Sequence, residues 1–215
     1  MCTEETEPKL ICITGLDGSG KTTHISRLAE RLESAGAGPV VPVTIWDLLL
    51  DPASRDRIGF DSPRQVDAYL EILHSTARTL FLYHCLYQAL ELARQRRPRI
   101  CLINAYWYKY YATEVAHGGQ PDRLLDLAAI FPEPDQTVLL RLEPEASFDR
   151  KPFLSGYETG FAPRRDRDAF LAFQRRAATA LDAIPARSAW PEIDTAGPED
   201  DVARRIAAAL EIEPC

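Results

Sequence analysis

The run Gly15-Leu16-Asp17-Gly18-Ser19-Gly20-Lys21-Thr22-Thr23 brings together the residue types that phosphate chemistry needs. Glycines at 15, 18 and 20 can take backbone angles closed to other residues, so successive N–H groups can turn inward around phosphate oxygens. Lys21 can reach β- and γ-phosphates, and the Thr22 hydroxyl can ligate Mg²⁺. Ser19 and Thr23 complete the loop-side set. The run fits G-x-x-x-x-G-K-[ST] in the strand–loop–helix setting that this pattern requires. An apolar stretch precedes it and helical spacing starts directly after Lys21. The helix adds its positive dipole end and its unpaired N–H groups. These residues imply a site for a nucleoside triphosphate with Mg²⁺. Asp17 fits a place near an acceptor hydroxyl or in the Mg²⁺ shell, and equally a cap on the following helix.

Further candidates are spread along the chain. Arg164, Arg165 and Arg167, with Lys151 before them, flank a segment at 151–165 rich in glycine, proline and charge. Such a segment reads as a lid over a site. Phosphoryl transfer spreads charge over equatorial oxygens, so an arginine delivered by a closing lid would compensate it. A solvated basic run is the plainer reading of the same arginines. Arg78 stands among apolar residues of a long helical stretch, where a buried cation needs a ligand or a carboxylate partner. Lys109 is surrounded by Tyr106, Trp107, Tyr108, Tyr110 and Tyr111; it can hold an anionic acceptor group or simply be exposed. Tyr106 and Tyr108 offer an aromatic wall or ordinary packing. His24 reads as a helix surface residue, and His84 and His117 carry no evident role. No Cys/His spacing suits zinc.

Strand and helix patterns alternate over the whole length and position these residues. Strands are expected at 10–14, 40–46, 99–104, 137–142 and 190–193. Helices are expected at 24–34, 62–97 (one bent or two), 121–130, 144–150, 166–184 and 198–210. Pro42 places the second strand at an edge or a bulge, Ser62-Pro63 reads as an N-cap with proline at the first helical position, and 47–61 is irregular. Alternation of this kind makes an α/β fold with a parallel sheet of about five strands between helical layers. One domain over 1–215 is expected, with residues 1–8 as a disordered lead.

The formal net charge of −7 excludes wholesale binding of nucleic-acid polymers or anionic membranes. No apolar run approaches 18 residues, so neither a signal peptide nor a transmembrane helix is expected. Five scattered cysteines without a C-x-x-C pair fit a reduced, cytoplasmic protein.

The order of these pieces resembles the thymidylate kinase family of P-loop nucleoside monophosphate kinases over nearly the whole chain. The resemblance is carried by Gly15–Thr23, by Leu73-His74-Ser75-Thr76-Ala77-Arg78, by Ile103-Asn104-Ala105-Tyr106 and by Leu140 through Arg150. Ile193-Asp194-Thr195 before a helix is similar to the family's end, where backbone groups meet adenine. The resemblance implies a P-loop α/β/α sandwich and transfer of the ATP γ-phosphoryl group to a small acceptor. It implies acceptor contacts at Asp17, His74, Arg78, Asn104 and Tyr106, and a homodimer built on the long helix. Ser19 leaves no arginine in the loop, which favours a lid arginine. The departures fall on the acceptor side. Asn104-Ala105 replaces an Asp-Arg pair that supports the metal and clamps the acceptor phosphate. Lys109, beside the missing clamp, is expected to stand in for the absent arginine in holding an anionic acceptor group. His74 replaces a stacking phenylalanine, and Thr44–Pro52 lacks the family's Arg-Glu-Pro-Gly-like segment. An acceptor other than dTMP is therefore expected, with a nucleotide-binding regulator that has lost catalysis as the rival reading. A GTPase switch is disfavoured because no N-K-x-D motif occurs.

Overall fold

Lys9–Thr14 forms β1, with five of its six residues buried. In the computed structural model, which describes residues 7–49 and 60–211, β1 sits at the centre of a five-stranded sheet. It pairs with β3 (Ile100–Asn104) on one side and β4 (Gln136–Arg141) on the other; β2 (Val40–Val43) lies outside β3 and β5 (Glu192–Asp194) outside β4. All four pairings are parallel. β2 is an edge strand, which is where Pro42 can sit without removing a central ladder bond.

Alternation along β1 sends Leu10 and Cys12 to one face and Ile11 and Ile13 to the other. The Ile11 face is covered by α1 (Lys21–Ser34) and by α9 (Glu199–Ala209). The Leu10 face is covered by α2 (Trp46–Leu49), α3 (Pro63–Ile72), α4 (Ser75–Gln95), α5 (Tyr106–Ala116), α6 (Pro121–Ala128) and α8 (Arg167–Asp182). The short α7 (Pro144–Asp149) follows β4. This is the expected three-layer α/β/α sandwich. Because every strand runs the same way, the ends of β1, β3, β4 and β5 open onto one edge, where doubly wound sheets hold ligands.

Of the two alternatives for 62–97, the structure takes two helices, and three other details depart from or add to the sequence reading. Leu73 takes extended angles (φ −82°, ψ 137°), and His74 Nδ1 accepts the Thr76 N–H at 3.4 Å to cap α4. β2 ends at Val43, and Trp46 already opens a helix instead of ending the strand. The aromatic stretch after Ala105 is a helix. The 151–165 segment carries a 3₁₀ turn, Tyr157–Thr159, whose ends are buried, so it is not a surface strip. Part of the lead (1–6), part of the irregular stretch (50–59, with Asp51-Pro52), Cys2 and Cys215 lie outside the described residues.

Candidate phosphate and acceptor cavities

The loop after β1 turns into α1 through Gly20 in the left-handed region (φ 85°). No side chain caps α1 and no acidic residue stands in its first turn, so its leading N–H groups are left for an anion. Gly18 (φ 78°) is required twice over: a β-carbon there would collide with the Ser147 hydroxyl, which donates to the Asp17 carbonyl at 2.5 Å. Lys21 folds back over the loop and donates to the Leu16 carbonyl (2.6 Å) and to Ser19 Oγ (3.4 Å). Burial pushes its ammonium down to about 7, with Asp17 pulling the other way and Lys109 and Lys151 adding to the depression.

Two further elements reach this loop. At the end of β3, Asn104 Nδ2 donates to Thr22 Oγ1 at 3.2 Å. The next two residues, Ala105 (φ 73°) and Tyr106 (φ 52°), both have positive φ without being glycine. Such angles cost about 1–3 kcal/mol each and persist where the surroundings over-determine them. Here Thr14 Oγ1 donates to the Ala105 carbonyl (2.9 Å), and Ala105 N–H donates to Ile13 (2.9 Å). The strained turn aims α5 so that Lys109, one helical turn beyond Ala105, reaches Asp17 with Nζ 2.7 Å from Oδ1. Burial opposes the charge on Asp17, but Lys109, then Lys21 and Lys151, outweigh it and hold the carboxyl down at about 2. Burial likewise opposes the charge on Lys109, and Asp17 overcomes it and raises the ammonium above its usual range. Both groups are ionised at neutral pH. Oδ2 of Asp17 is buried without a partner.

The pair stands between two cavities. One, of about 610 Å³, is lined by Gly18, Gly20, Lys21, Thr22, Thr23 and, across from them, Arg150 and Thr195. The other, of about 720 Å³, is lined by α3, by Leu82 of α4 and by 151–158. Only Asp17, Trp46, Lys109 and Tyr110 line both, among the described residues.

The structure brings Gly18, Gly20, Lys21, Thr22, Thr23, Asp17, Asn104 and Lys109 together at this junction. Gly15 and Ser19 shape the loop from beneath; a β-carbon at Gly15 would collide with the Leu140 carbonyl. Tyr106 is elsewhere. It is fully buried, and its hydroxyl donates to the Pro132 carbonyl (2.6 Å), because the turn at Ala105 points it into the core. Tyr108 is also core, against Trp107 and Trp190. His74 is a helix cap, and Arg78 forms a buried ion pair with Glu114 (2.7 Å). Arg164 is 89% exposed, and Arg167 lies over the Phe148 ring. Arg165 lines the larger cavity, held by Glu71 (2.9 Å) and Asp67 (3.6 Å).

His24 is not a surface residue: it is 5% exposed and lines the loop-side cavity, turned inward one helical turn after Gly20. Sequence reasoning missed Arg150, which donates to the Thr195 carbonyl (2.8 Å), and Tyr110. Arg150 closes the helix that leads into the 151–165 segment, a position from which it was legible. Tyr110 was not separable from its aromatic neighbours. For Mg²⁺, the Thr22 hydroxyl and the partnerless Asp17 oxygen are hard oxygen donors on one loop, the type this ion takes. Among the described residues no cluster of His, Cys, Asp and Glu could hold a metal without a ligand's oxygens.

No protein-family model matches the chain. Over 146 residues, 66% of its length, it is 33% identical to the thymidylate kinase of Xanthomonas oryzae pv. oryzae (strain PXO99A), and it spans 59% of that relative. Over 183 residues it is 28% identical to the thymidylate kinase of Xylella fastidiosa (strain 9a5c), covering 81% of this chain and 82% of that one. It is 28% identical over 148 residues to a probable thymidylate kinase 1 of Saccharolobus solfataricus, covering 66% and 69%. The solved structure of thymidylate kinase from Candida albicans superimposes with a TM-score of 0.64 at 20% identity, over 95% of this chain and 92% of that one, a likeness of fold.

Proposed function

From its likeness to thymidylate kinases, 33% identity to one over 59% of that relative and 28% to another over 82% of it, we propose that the chain is an ATP- and Mg²⁺-dependent phosphotransferase of that type, which moves the γ-phosphoryl group to a small acceptor. One observation carries the reading. The cavity around the phosphate-binding loop and the cavity under the 151–158 segment meet at Asp17, Trp46, Lys109 and Tyr110. A phosphoryl group passing between them must pass Lys109, the one cation lining both among the described residues.

Each residue then has a task. The N–H groups at the start of α1 and Lys21 hold the triphosphate, and Thr22, oriented by Asn104, holds the metal. Mg²⁺, when held there, would supply neutralisation of the triphosphate's charge. Lys109 compensates the charge of the transferring group where an arginine clamp is missing at Ala105, and Asp17 fixes Lys109 in place. Arg150 and the Thr195 backbone bound the nucleoside end of the donor. The acceptor enters beneath the 151–165 segment, which we read as a lid with Arg165 at its rim. The rival reading, a nucleotide-binding regulator, draws on Asn104-Ala105; the placement of Lys109 counts against it.

Exposed Leu80 and Tyr87 on α4 support a homodimer through that helix, testable by light scattering. Buried free thiols at Cys12, Cys85 and Cys101 support a reducing compartment such as the cytoplasm. No helix of the described residues is long and apolar enough to cross a membrane.

The test is ATP consumption with Mg²⁺ across nucleoside monophosphates, nucleosides and small hydroxylated metabolites. Turnover with at least one acceptor is expected, and Lys21→Ala should lower it by roughly 10³-fold or more, as loss of the main phosphate cation in a preorganised site does. ATP binding without turnover of any acceptor would favour the regulator instead.

A further inference from the structure

Tyr157 separates two spaces that the sequence placed together. Its ring lines the 720 Å³ cavity with Val66, Leu70 and Leu82. Its hydroxyl is used inside the chain, 2.6 Å from Thr113 Oγ1 and donating to Glu114 Oε1 at 3.1 Å. Behind that carboxylate lies Arg78, whose Nε donates to the same oxygen at 2.7 Å. Arg78 Nη1 donates to the carbonyls of Leu73 (3.0 Å) and Leu70 (3.3 Å), and the guanidinium sits 5.1 Å from the Phe161 ring centroid. Arg78, His74 and Phe161 line a separate cavity of about 460 Å³, which shares no lining residue with the acceptor-side cavity among the described residues.

The physical consequence concerns what an acceptor can touch. A guanidinium reads a heterocycle through N–H groups that point into the ligand's space. At Nε and Nη1 those of Arg78 are turned to a buried carboxylate and two carbonyls, the guanidinium lies by the Phe161 ring, and the space it lines is the separate 460 Å³ cavity. An acceptor coming from the Asp17–Lys109 side would have to expel Tyr157 and leave Glu114 and Thr113 short of a partner, a cost that buried polar groups impose in full. The space on the near side is walled by Ile45, Val66, Leu70, Leu82 and Leu154.

We propose that Tyr157 is the specificity-determining residue of the acceptor site. It is a wall that keeps a nucleobase from Arg78 and selects a compact acceptor with an apolar body. The proposal rests on the 720 Å³ cavity being the acceptor site of a kinase. That makes the family's own acceptor chemistry the natural probe.

The experiment is calorimetric titration of the ATP-analogue complex with dTMP and with 2-deoxyribose 5-phosphate, which carries the same sugar phosphate without the base. The wild type should bind the two within about threefold of each other, because the base finds no reader, and binding of neither overturns the assignment of Tyr157 as the residue that selects between them. Tyr157→Ala joins the two cavities and should favour dTMP by about tenfold or more, whereas Tyr157→Phe keeps the ring and should match the wild type. A wild type that prefers dTMP by tenfold overturns the proposal. So does a Tyr157→Ala variant with a native circular-dichroism melt and an unchanged ratio. Should Tyr157→Ala not fold, Tyr157→Leu serves in its place, and the wild-type ratio alone still decides. If the ATP analogue itself fails to bind, the kinase reading falls and not the assignment of Tyr157.

Discussion

The loop-side cavity takes five lining residues from the six positions Gly18 to Thr23, whereas the acceptor-side cavity gathers α3, α4, α5 and the 151–165 segment around a space that no single stretch defines. The first is held by backbone geometry: a left-handed Gly20, an uncapped helix start, a lysine on its own loop carbonyl. The second is held by ion pairs between distant segments, Lys109 with Asp17, Arg165 with Glu71, and Arg78 with Glu114 behind them, and by Lys151 with Glu158 within the 151–165 segment. A site made of backbone tolerates little change and keeps its chemistry. A site made of paired side chains can be re-paired one residue at a time, and that is where this chain departs from the pattern of the thymidylate kinases it resembles.

Breaking the pairs should therefore hurt the two cavities unequally. The largest effect is expected from Glu114→Ala, which strands Arg78 without its carboxylate. Removing one partner of a buried pair costs about 3–5 kcal/mol. For a chain of this size that is a fall in Tm of roughly 10 °C, read by calorimetry. ATP affinity at low temperature should stay within about twofold, since no residue of the loop touches this pair. A matching loss of ATP affinity would mean that the two regions act as one unit. Lys109→Ala comes next. Its loss should lower kcat by about 10²–10³, as removal of one preorganised charge stabiliser does, while the Kd for ATP moves by less than about threefold. Equal losses in both would assign Lys109 to the donor side.

The same contrast explains what the sequence made legible. Gly15 to Thr23 could be read because the chemistry is contiguous, and the sheet could be read because buried parallel strands are short apolar runs. The acceptor side resisted for specific reasons. Tyr106 and Lys109 look alike as members of one aromatic run, and only the positive φ at Ala105 sends one into the core and the other to Asp17. Arg78 announced that it needed a partner, but Glu114 lies 36 positions away and nothing local names it. His74 fell at a helix break that helical periodicity ran straight through. His24 was taken for surface because its inward turn depends on the loop that it lies against.

A smaller effect separates the cavities by pH. Burial depresses Lys21 to about 7 in the free protein, and a bound triphosphate would raise it again by supplying the counter-charge. The complex thus binds more protons than the free protein above that value. ATP affinity should be full below about pH 7 and fall by up to roughly tenfold for each unit above it, until the pKa of the complex is reached. Titrations at pH 7, 8 and 9 in buffers of different ionisation enthalpy should show proton uptake, and Lys21→Met should remove both. The junction should not contribute, because Asp17 is held at about 2 and Lys109 is raised. A pH dependence that survives in Lys21→Met would point to the junction after all.

The smallest expected effect is the sharpest test of whether the 151–165 segment already stands where it acts. Asp67 accepts the N–H groups of Gly156 and Tyr157 at 3.0 Å each, and Arg165 is tied to α3, so the segment is fastened over the acceptor cavity. Arg164 points away, 89% exposed, with a 3.5 Å approach to Asp166. If the fastened arrangement is the working one, Arg165→Ala should raise the acceptor KM a few-fold. Arg164→Ala should change neither stability beyond about 0.5 kcal/mol nor kcat beyond about twofold, as for surface substitutions generally. A tenfold loss in kcat from Arg164→Ala would mean that the segment unfastens from Asp67 and swings an exposed arginine onto the phosphoryl group. The acceptor side would then be assembled during the reaction, and its ion pairs would be latches on the segment and not the site itself.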